Sequence, residues 1–466
     1  MAPRPTPLPV GNPTSSYWLS QPHSKLQNFC SRDKLPEVAD TVVIGSGISG
    51  SLIAHELLTR RSYGQDRPLV MLEARSFASG ATGRNGGHIK PDCYKNFAAY
   101  QQRYGSDVAK SLCRFELDNM RESIKLITQQ GLGEAVDLVQ TQSVDFFMAS
   151  KAWDDAQKSL ELYAEAGGDL TEIKAYDKVE AEKKYRFTGV FGAVTYPACS
   201  LWPYKLAAGL TEKAVDNGLQ LFTHTPALGI FPAAEGKWRI RTSKGDITCD
   251  TIFHATNGYV SHLLPELASK VVPVKGNVVA IKPGQELDNN PLEHTAGVQW
   301  GEDFDYMIQR PVDGKPLIFG GRDLAHKRKL LGPIGDADDS TTTPEVVRAL
   351  LRFPINHMRG WGHQSTPRFV WSGIMGFTAD GFPFVGEVPG RAGQYASVGY
   401  TGHGMARVVL TIRALVQKFF NEAIDPRVPR LYFNLKERLG EKHNAWEAIL
   451  EEAYKVNLDS RLLPKL

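Results

Sequence analysis

The first quarter of the chain alternates short apolar runs with a segment of helical periodicity. "DTVVIG" (40–45) and "LVMLE" (69–73) are compact apolar runs typical of buried strands. Between them, residues 49–61 place apolar side chains at helical spacing. A strand, a helix and a strand in this order predict a βαβ unit. Residues 106–130 are rich in helix formers and predict one long helix outside that unit.

Further along, the pattern changes to that of a second sheet. Residues 219–255 consist of short alternating runs broken by Gly and Asp, which predict a meander of strands. Additional strands, belonging to another domain, are predicted at 143–150, 271–281 and 315–321. Residues 394–420 have the pattern of a strand, a glycine turn and an amphipathic helix of about 18 residues.

These elements predict two interleaved domains with an extension at each end. The fold class is α/β plus α+β, with a Rossmann-like dinucleotide-binding domain interleaved with an antiparallel-sheet substrate domain. The dinucleotide-binding domain is assigned to residues 37–101, 195–265 and 366–430, and the substrate domain to residues 102–194 and 266–365. Residues 1–36 are expected to form an extended proline-rich arm, and residues 431–466 a helical tail.

Composition narrows the class of partner. At 466 residues, with 42% hydrophobic and 23% charged residues, the chain has the profile of a globular protein. Its net charge of +3 comes from 54 basic and 51 acidic residues without any basic block, so nothing favours nucleic acid. No apolar run reaches the roughly 18 residues of a membrane span. We therefore expect a small-molecule partner, and the sequence leaves the oligomeric state open.

The cysteines and the chain ends bear on the compartment. The five cysteines are odd in number and contain no CxxC pair, so we expect neither a disulfide framework nor a metal site, and an intracellular, reducing location. Prolines occupy the N-terminus where a secretory signal has an apolar core. The final Pro464-Lys465-Leu466 differs at one position from the Ser-Lys-Leu peroxisomal address. Cytoplasmic and peroxisomal locations both stay open.

The motif "GSGISG" carries the first chemical signal. Gly45, Gly47 and Gly50 follow the first strand and open the helix, and Glu73 ends the next strand. In this context the glycines permit a tight turn, the approach of backbone to a pyrophosphate and close helix packing. The helix N-terminus would favour the phosphates, and Glu73 would accept hydrogen bonds from ribose hydroxyls. FAD and NAD share this fingerprint, so the motif alone does not choose between them.

Later segments resemble one family. "EARSFASGATGRNGGH", "HATNGY", "WSGIMGFTADGFPFVG" and "GYTGHGMA" occur in an order that is similar to the D-amino-acid-oxidase-like superfamily of FAD oxidoreductases. Within it, the chain is most similar to the γ-glutamylputrescine oxidase and glycine oxidase branch. The resemblance spans roughly residues 38–420 and implies a GR2-type FAD-binding domain.

The resemblance also implies which residues hold FAD. The loop from Gly80 to His88 would wrap the ribityl chain and isoalloxazine ring, and a helix beginning near His403 would direct its positive end at the flavin C2 carbonyl. The full set of expected FAD contacts is Gly45, Gly47, Ile48, Ser49, Gly50, Glu73, Ala74, Arg75, Gly80, Ala81, Thr82, Arg84, Asn85, Gly86, Gly87, His88, Ala227, Ala255, Thr256, Gly258, Gly373, Gly402, His403, Gly404 and Met405.

The attachment of FAD is expected to be noncovalent. Some family members attach FAD through a cysteine in the segment that ends in Thr-x-Asp-x-x-Pro. Gly373 stands at the corresponding place here, and no cysteine follows Cys249. If the flavin were covalent, Cys93 or His88 would be the attachment point.

The sequence gives fewer indications of which residues contact the substrate. An aromatic, desolvated pocket would favour the neutral amine that this chemistry needs, and Tyr306 and Trp371 are the expected wall residues. Arg310 matches an arginine that glycine-oxidase-like members place near the substrate carboxylate, but it could equally be a surface arginine before a proline. His403 and Lys275 are candidates for the cation that some members use to activate oxygen.

The expected catalytic residues are therefore Tyr306, Arg310, Trp371 and His403. The resemblance implies an FAD-dependent oxidase of a primary or secondary amine or amino-acid derivative. Hydride would pass from the α C–H to flavin N5, the imine product would hydrolyse, and O2 would be reduced to H2O2. The alternatives are a dehydrogenase with another electron acceptor, a biosynthetic oxidoreductase acting on one C–N bond, and a non-catalytic flavin-binding protein.

Overall fold

The computed structural model describes residues 4–60, 68–301, 303–440 and 444–458. The C-terminal Pro464-Lys465-Leu466 lies outside the described residues. The strands are β1 Val38–Ile44, β2 Leu69–Leu72, β3 His88–Ile89, β4 Val139–Phe147, β5 Lys174–Asp177, β6 Gly192–Ser200, β7 Gln220–Phe222, β8 Ala227–Pro232, β9 Trp238–Thr242, β10 Gly245–His254, β11 Val272–Lys282, β12 Thr295–Gln299, β13 Phe304–Gln309, β14 Leu317–Gly320, β15 Thr366–Phe377, β16 Phe384–Glu387 and β17 Gln394–Val398.

The α-helices are α1 Ile48–Leu58, α2 Phe97–Tyr104, α3 Ser106–Gln129, α4 Ser150–Glu165, α5 Lys178–Lys184, α6 Pro203–Asp216, α7 Gln285–Asn289, α8 Pro344–His357, α9 Gly404–Phe419, α10 Leu435–Gly440 and α11 Ala445–Leu458. The long helix predicted at residues 106–130 is confirmed as α3, and the amphipathic helix predicted within residues 394–420 is confirmed as α9. No helix in the described part of the chain is long and apolar enough to cross a membrane.

The first sheet is Rossmann-like, as predicted. Its strand order is β16-β17-β10-β1-β2-β7, and the β8–β9 hairpin continues from β10. Strand β1 pairs in parallel with β10 and β2, and β2 pairs in parallel with β7. Alternate residues of β1 enter different cores: Val43 packs in the core that holds α1, α6 and α9, while Val42 and Ile44 pack beside β8 and β9. Helices and a hairpin therefore cover opposite faces of this sheet.

The second sheet has the order β15-β11-β14-β13-β12-β4-β6-β3, with β5 on β6. It is mostly antiparallel, as predicted, but β12 and β4 pair in parallel. Strands β15 and β11 form its longest ladder, from the pair Val272 and Phe377 to the pair Lys282 and Thr366.

Sheet membership differs from the predicted domain assignment at three strands. Strands β3 and β15 lie wholly, and β6 lies largely, inside segments assigned to the dinucleotide-binding domain (37–101, 366–430 and 195–265), but all three belong to the second sheet. After β15 the chain enters the first sheet within a few residues, at β16. Apolar pattern identifies a strand but not the sheet that it joins, because that choice depends on pairing partners far away in sequence.

The N-terminal arm packs on the body of the protein. Its described part begins as an extended, proline-rich segment and then contains a 3₁₀ turn at Tyr17–Leu19 and a further turn at residues 24–28. Tyr17 and Trp18 are buried in the same core as α1 and α9. The arm is thus part of the folded core.

Candidate active site

A large cavity opens at the carboxyl ends of β1 and β2, where the two sheets meet. It has a volume of about 1990 Å³, with its opening to solvent included. Its walls come from the ends of β1 and β2, the loop after β2, the turn after β10, strands β11, β13 and β15, and the start of α9. The carboxyl ends of parallel strands are the usual place for a ligand in this kind of sheet.

The three glycines of the fingerprint have different steric roles. Gly45 has a φ of +105°, and a Cβ there would lie 2.7 Å from the carbonyl oxygen of Ala255. A Cβ on Gly50 would lie 1.9 Å from the carbonyl oxygen of Gly45, so no side chain fits there. Gly47 faces the cavity, and its Cβ would lie 3.0 Å from Thr82 Oγ1. Gly47 therefore leaves room at the cavity wall that a side chain would restrict.

The first turn of α1 also lines the cavity, through Ile48 and Ser49. The Ile48 N–H donates to Thr82 Oγ1 at 2.8 Å, which joins this turn to the loop after β2. The N-terminus of a helix has a partial positive charge that favours phosphate. The arrangement fits the pyrophosphate of a dinucleotide.

Glu73, at the end of β2, is oriented by local hydrogen bonds. Its Oε2 accepts from the backbone N–H and the hydroxyl of Ser46, at 3.1 and 2.6 Å, and its Oε1 accepts from the Arg75 N–H at 2.9 Å. A carboxylate has about four acceptor positions, so Glu73 can still accept from ribose hydroxyls. Ser46 occupies a variable position of the motif, and motif reasoning missed its role.

Arg75 and Arg84 share the buried carboxylate of Asp339. Arg75 Nη1 lies 2.9 Å from Asp339 Oδ1, and Arg84 Nε lies 3.4 Å from Asp339 Oδ2. Arg84 Nε also donates to the Ser79 carbonyl at 2.8 Å. The two arginines therefore hold the loop after β2 in place as well as lining the cavity. Nothing in the local sequence indicated Asp339, which lies far along the chain.

The glycine turn before α9 completes the cavity wall. Gly402 has a φ of +77°, and the Asn257 amide oxygen accepts from the Gly399 N–H at 2.9 Å. Helix α9 begins at Gly404, and the N-terminal residues of this helix line the cavity, as predicted. The positive end of its dipole is directed into the cavity, where it would stabilise negative charge.

Most of the predicted cofactor residues line this one cavity. Three do not. They are Gly50, Gly87 and Gly258, and each has a packing role. A Cβ on Gly258 would lie 2.6 Å from the Met375 carbonyl oxygen, and a Cβ on Gly87 would lie 2.3 Å from the ring of Trp18. These three glycines allow close packing behind the cavity wall.

Two predicted substrate contacts do not face the cavity. Trp371 is fully buried and donates its indole N–H to the Arg84 carbonyl at 2.9 Å, which holds the loop. Arg310 is also fully buried, and its Nη2 lies 2.6 Å from Asp137 Oδ2. Neither residue lines the cavity, so their assignment as substrate contacts is corrected. Lys275 likewise lies elsewhere, paired with Asp336 at 3.2 Å.

The part of the cavity lined by His88, Lys90, Phe304, Tyr306 and His403 is called the substrate end below. The His88 and Tyr306 ring centroids are 5.8 Å apart, and those of Phe304 and Tyr306 are 6.3 Å apart. Lys90 Nζ lies 4.7 Å from the Phe304 ring centroid. Tyr306 and His403 were predicted as catalytic residues, while Lys90 and Phe304 were missed.

Burial changes the charge states at the substrate end. It lowers the pKa of His88 to about 3, so the imidazole is neutral at physiological pH. It also lowers the pKa of Lys90, whose ammonium lies 2.7 Å from Asp145 Oδ1. Burial raises the pKa of the Tyr306 hydroxyl, which stays protonated. This end therefore presents a neutral imidazole, a phenol and a paired lysine.

A buried ionic network joins this end to helix α3. Glu116 of α3 lies 2.6 Å from Arg407 Nε and 3.5 Å from His403 Nδ1, and it accepts from the Asp92 N–H at 2.7 Å. Burial opposes ionisation of Glu116, but Arg407 and His403 outweigh it and hold its pKa well below the usual range. The turn before α9 is thereby fixed to helix α3 and to the segment that carries Asp92.

The wall has unused polar atoms that fit a dinucleotide. Thr256 Oγ1 and His262 Nε2 line the cavity, are buried and have no hydrogen-bond partner among the described residues. A polar ligand would satisfy them, because buried polar groups are otherwise almost always paired. Cys93 is buried in a separate apolar cluster. Among the described residues, no cysteine lines the cavity, and no group of side chains suited to a metal ion is found.

Comparison with known proteins agrees with this geometry. The sequence profile of the family described as FAD dependent oxidoreductase (DAO) matches residues 40–417. The chain belongs to this family. FAD is therefore the dinucleotide, and the cavity lined by Gly47, Glu73 and Thr82 is where we expect it to bind.

Relatives of this flavoprotein have low sequence identity but similar length. An oxidoreductase of Haemophilus influenzae, OrdL, described as probable, is 22% identical over 83% of this chain and 84% of its own length. The γ-glutamylputrescine oxidoreductase of Escherichia coli is 23% identical over 88% of this chain and 90% of its own length. The crystal structure of glycine oxidase from Geobacillus kaustophilus, 20% identical, superposes with a TM-score of 0.69, covering 85% of this chain and 98% of that chain.

Proposed function

We propose that this FAD-dependent oxidoreductase acts on the C–N bond of an amine or amino-acid derivative and passes the electrons to O2. The overall reaction converts the amine, water and O2 into a carbonyl compound, ammonia or a smaller amine, and H2O2. The observation that carries the proposal is the substrate end, an aromatic pocket with a neutral imidazole continuous with the FAD site.

The chain's residues can supply what amine oxidation needs. Bound FAD supplies a two-electron acceptor. A reacting C–H bond must lie about 3 to 3.5 Å from its acceptor atom, which requires a rigid pocket, and Phe304 and Tyr306 form two walls of it. The low polarity that keeps His88 neutral also disfavours an ammonium, so it favours the neutral, reactive amine.

The relatives give independent support for nitrogen substrates. One acts on γ-glutamylputrescine and another on glycine, while a structural neighbour is an L-proline dehydrogenase. All three substrates contain an amine nitrogen. Arg310 is not in the pocket, so binding of an α-carboxylate by that arginine forms no part of the proposal.

Anaerobic mixing with a panel of compounds tests the proposal. The purified holoenzyme is mixed with amines, N-methyl amino acids, D- and L-amino acids and γ-glutamyl amines, and the loss of the oxidised flavin's visible absorbance is recorded. We expect at least one of these classes of compound to bleach the flavin, with the amine nitrogen recovered as ammonia or a smaller amine. Bleaching by hydroxy acids or other nitrogen-free alcohols alone would contradict it.

Readmission of oxygen then tests the electron acceptor. An oxidase yields one H2O2 for each substrate oxidised, and the flavin reoxidises rapidly in air. If the reduced flavin persists in air but reoxidises with a quinone, the protein is a dehydrogenase and the oxidase part of the proposal is wrong.

A further inference from the structure

Residues 4–19, called the N-terminal strap below, cross the outside of the loop that follows β2. The two arginines of that loop both reach the strap. Arg75 Nη1 donates to the Val10 carbonyl at 3.2 Å, and Arg84 Nη2 donates to the Thr14 carbonyl at 2.7 Å. The residues that line the FAD cavity therefore also hold the strap.

Thr14 joins the strap to three other segments. Its Oγ1 accepts from Arg84 Nη1 and from the Ser372 N–H, both at 3.0 Å. Its N–H donates to the Asp339 carbonyl at 2.8 Å. A single threonine thereby connects the loop after β2, strand β15 and the segment that carries Asp339.

Trp18 anchors the end of the strap in the core. Its indole N–H donates to the Asn85 carbonyl at 2.6 Å, and its own carbonyl accepts from the Trp202 indole at 2.8 Å. The guanidinium carbon of Arg310 lies 5.3 Å from the ring centroids of both tryptophans. Such contacts are favourable when desolvated. Arg310 thus fastens the strap instead of binding substrate.

The other end of the strap is fixed across the cavity. Thr6 is only 4% exposed, and its N–H donates to Ser261 Oγ at 2.8 Å, while the two hydroxyl oxygens are also 2.8 Å apart. Between this anchor and Val10, residues Pro7, Leu8 and Pro9 line the FAD cavity. The strap therefore passes over the part of the cavity between the end of β2 and the turn after β10.

We propose that the strap is a wall of the FAD site, and that Thr6 to Val10 must detach before FAD can leave. The strap precedes residues 40–417, the part of the chain that matches the family profile. Pro7 and Pro9 restrict the free strap, which lowers the entropic cost of keeping it closed. The inference rests on FAD binding and is independent of which substrate is oxidised.

Cutting the strap in the folded holoenzyme tests the proposal. Gly11 is exposed, and a Cβ there would meet nothing within 4 Å, so a protease recognition sequence can be inserted after it. FAD release is followed by the rise in flavin fluorescence on dilution, before and after cleavage. We expect release to become about tenfold faster or more, since changes in affinity appear mainly in dissociation rates. Mass spectrometry of the cleaved protein monitors the loss of the peptide.

The same insertion after Gly236 provides the control. That glycine lies in the exposed turn between β8 and β9, and a Cβ there also meets nothing within 4 Å. Cleavage there should leave FAD release unchanged. If both cuts accelerate release equally, general loosening explains the effect and the proposal fails.

A point substitution tests the Thr6 anchor without cleavage. Thr6→Val keeps the shape of the side chain but removes its hydroxyl contact with Ser261, and we expect FAD release about fivefold faster. Thr171→Val, which removes an exposed hydroxyl bonded to Asp169, is the matched control. Unchanged release in both Thr6→Val and the cut protein would show that the strap is not part of the FAD site.

Discussion

The wall of the cavity is mostly backbone where it holds FAD, whereas at the substrate end it is made of large side chains. The cofactor end has glycines, the first turns of α1 and α9, and a carboxylate oriented by Ser46. The substrate end has a neutral His88, a lysine paired with Asp145, and two aromatic rings. The cofactor end recognises FAD, a ligand that does not change, largely through backbone groups. The side chains of the substrate end can vary with the substrate.

The two ends also differ in where their residues come from. The cofactor end draws mainly on short segments at the ends of β1 and β2, close together in sequence, and is completed by the distant first turn of α9. The substrate end combines β3 with β13, about 200 residues away, because both belong to the second sheet. Substitutions at the cofactor end should therefore affect FAD binding and folding, and those at the substrate end should affect turnover.

Gly50→Ala should have the largest effect. Its Cβ would lie 1.9 Å from a backbone oxygen that cannot move without displacing β1 or α1. We expect little or no folded, yellow protein, measured as bound flavin per chain after purification. Gly133→Ala is the control, since a Cβ there meets nothing within 4 Å. A normal flavin content in Gly50→Ala would show that the turn relaxes more than this geometry allows.

Glu116→Gln should break the connection between the substrate end and helix α3. It leaves the buried Arg407 without its anionic partner, which typically costs about 3 kcal/mol or more. The measurement is the free energy of unfolding from denaturant titration. Glu172→Gln, in an exposed pair with Arg121 of the same helix α3, should cost less than about 1 kcal/mol. Equal losses would mean that the buried network adds no stability.

The stability of the cofactor domain should fall in acid. Burial lowers the pKa of His254, at the end of β10, to about 4 from an ordinary 6.5. Between pH 6.5 and pH 4 this histidine binds a proton in the unfolded chain but not in the folded one. Its contribution to the free energy of unfolding is therefore full above pH 6.5 and is lost as the pH falls toward 4. We expect a loss of about 2 kcal/mol between pH 8 and pH 5 from this group. In His254→Gln that part of the pH dependence should disappear from thermal melts.

Tyr306→Phe should give the smallest effect on the fold and a selective one on turnover. The Tyr306 ring is held between Gly86 and Gly320, where a Cβ would come within 2.6 and 2.5 Å of ring carbons, so phenylalanine should keep the same position. We expect unchanged flavin content and a kcat/KM about tenfold lower, equivalent to about 1.4 kcal/mol. Tyr176→Phe, outside the cavity, is the control. A loss of FAD with no change in turnover per bound flavin would reverse our assignment of the two ends.

Residues close in sequence were predicted well, and residues brought together by the sheets were not. The glycine turns, Glu73 and the α9 N-terminus follow from local backbone requirements that a motif records. Trp371 and Arg310 were assigned to the substrate because of their segment, but Trp371 donates to the Arg84 carbonyl of the loop after β2 and Arg310 lies against Trp18 of the strap. Asp339, Lys90 and Asp145 carried no local signal, because each has its role through a distant partner.

The sequence by itself determined a dinucleotide-binding fold, since a strand, a glycine turn and a helix in one short stretch already specify the backbone that binds a dinucleotide. It also predicted a helix beginning near His403, which the structure has as α9. Only the tertiary structure decided what faces the substrate and that the proline-rich arm crosses the FAD cavity. Side-chain burial, ion pairing and the resulting pKa shifts depend on contacts between segments hundreds of residues apart, and local pattern contains no record of them.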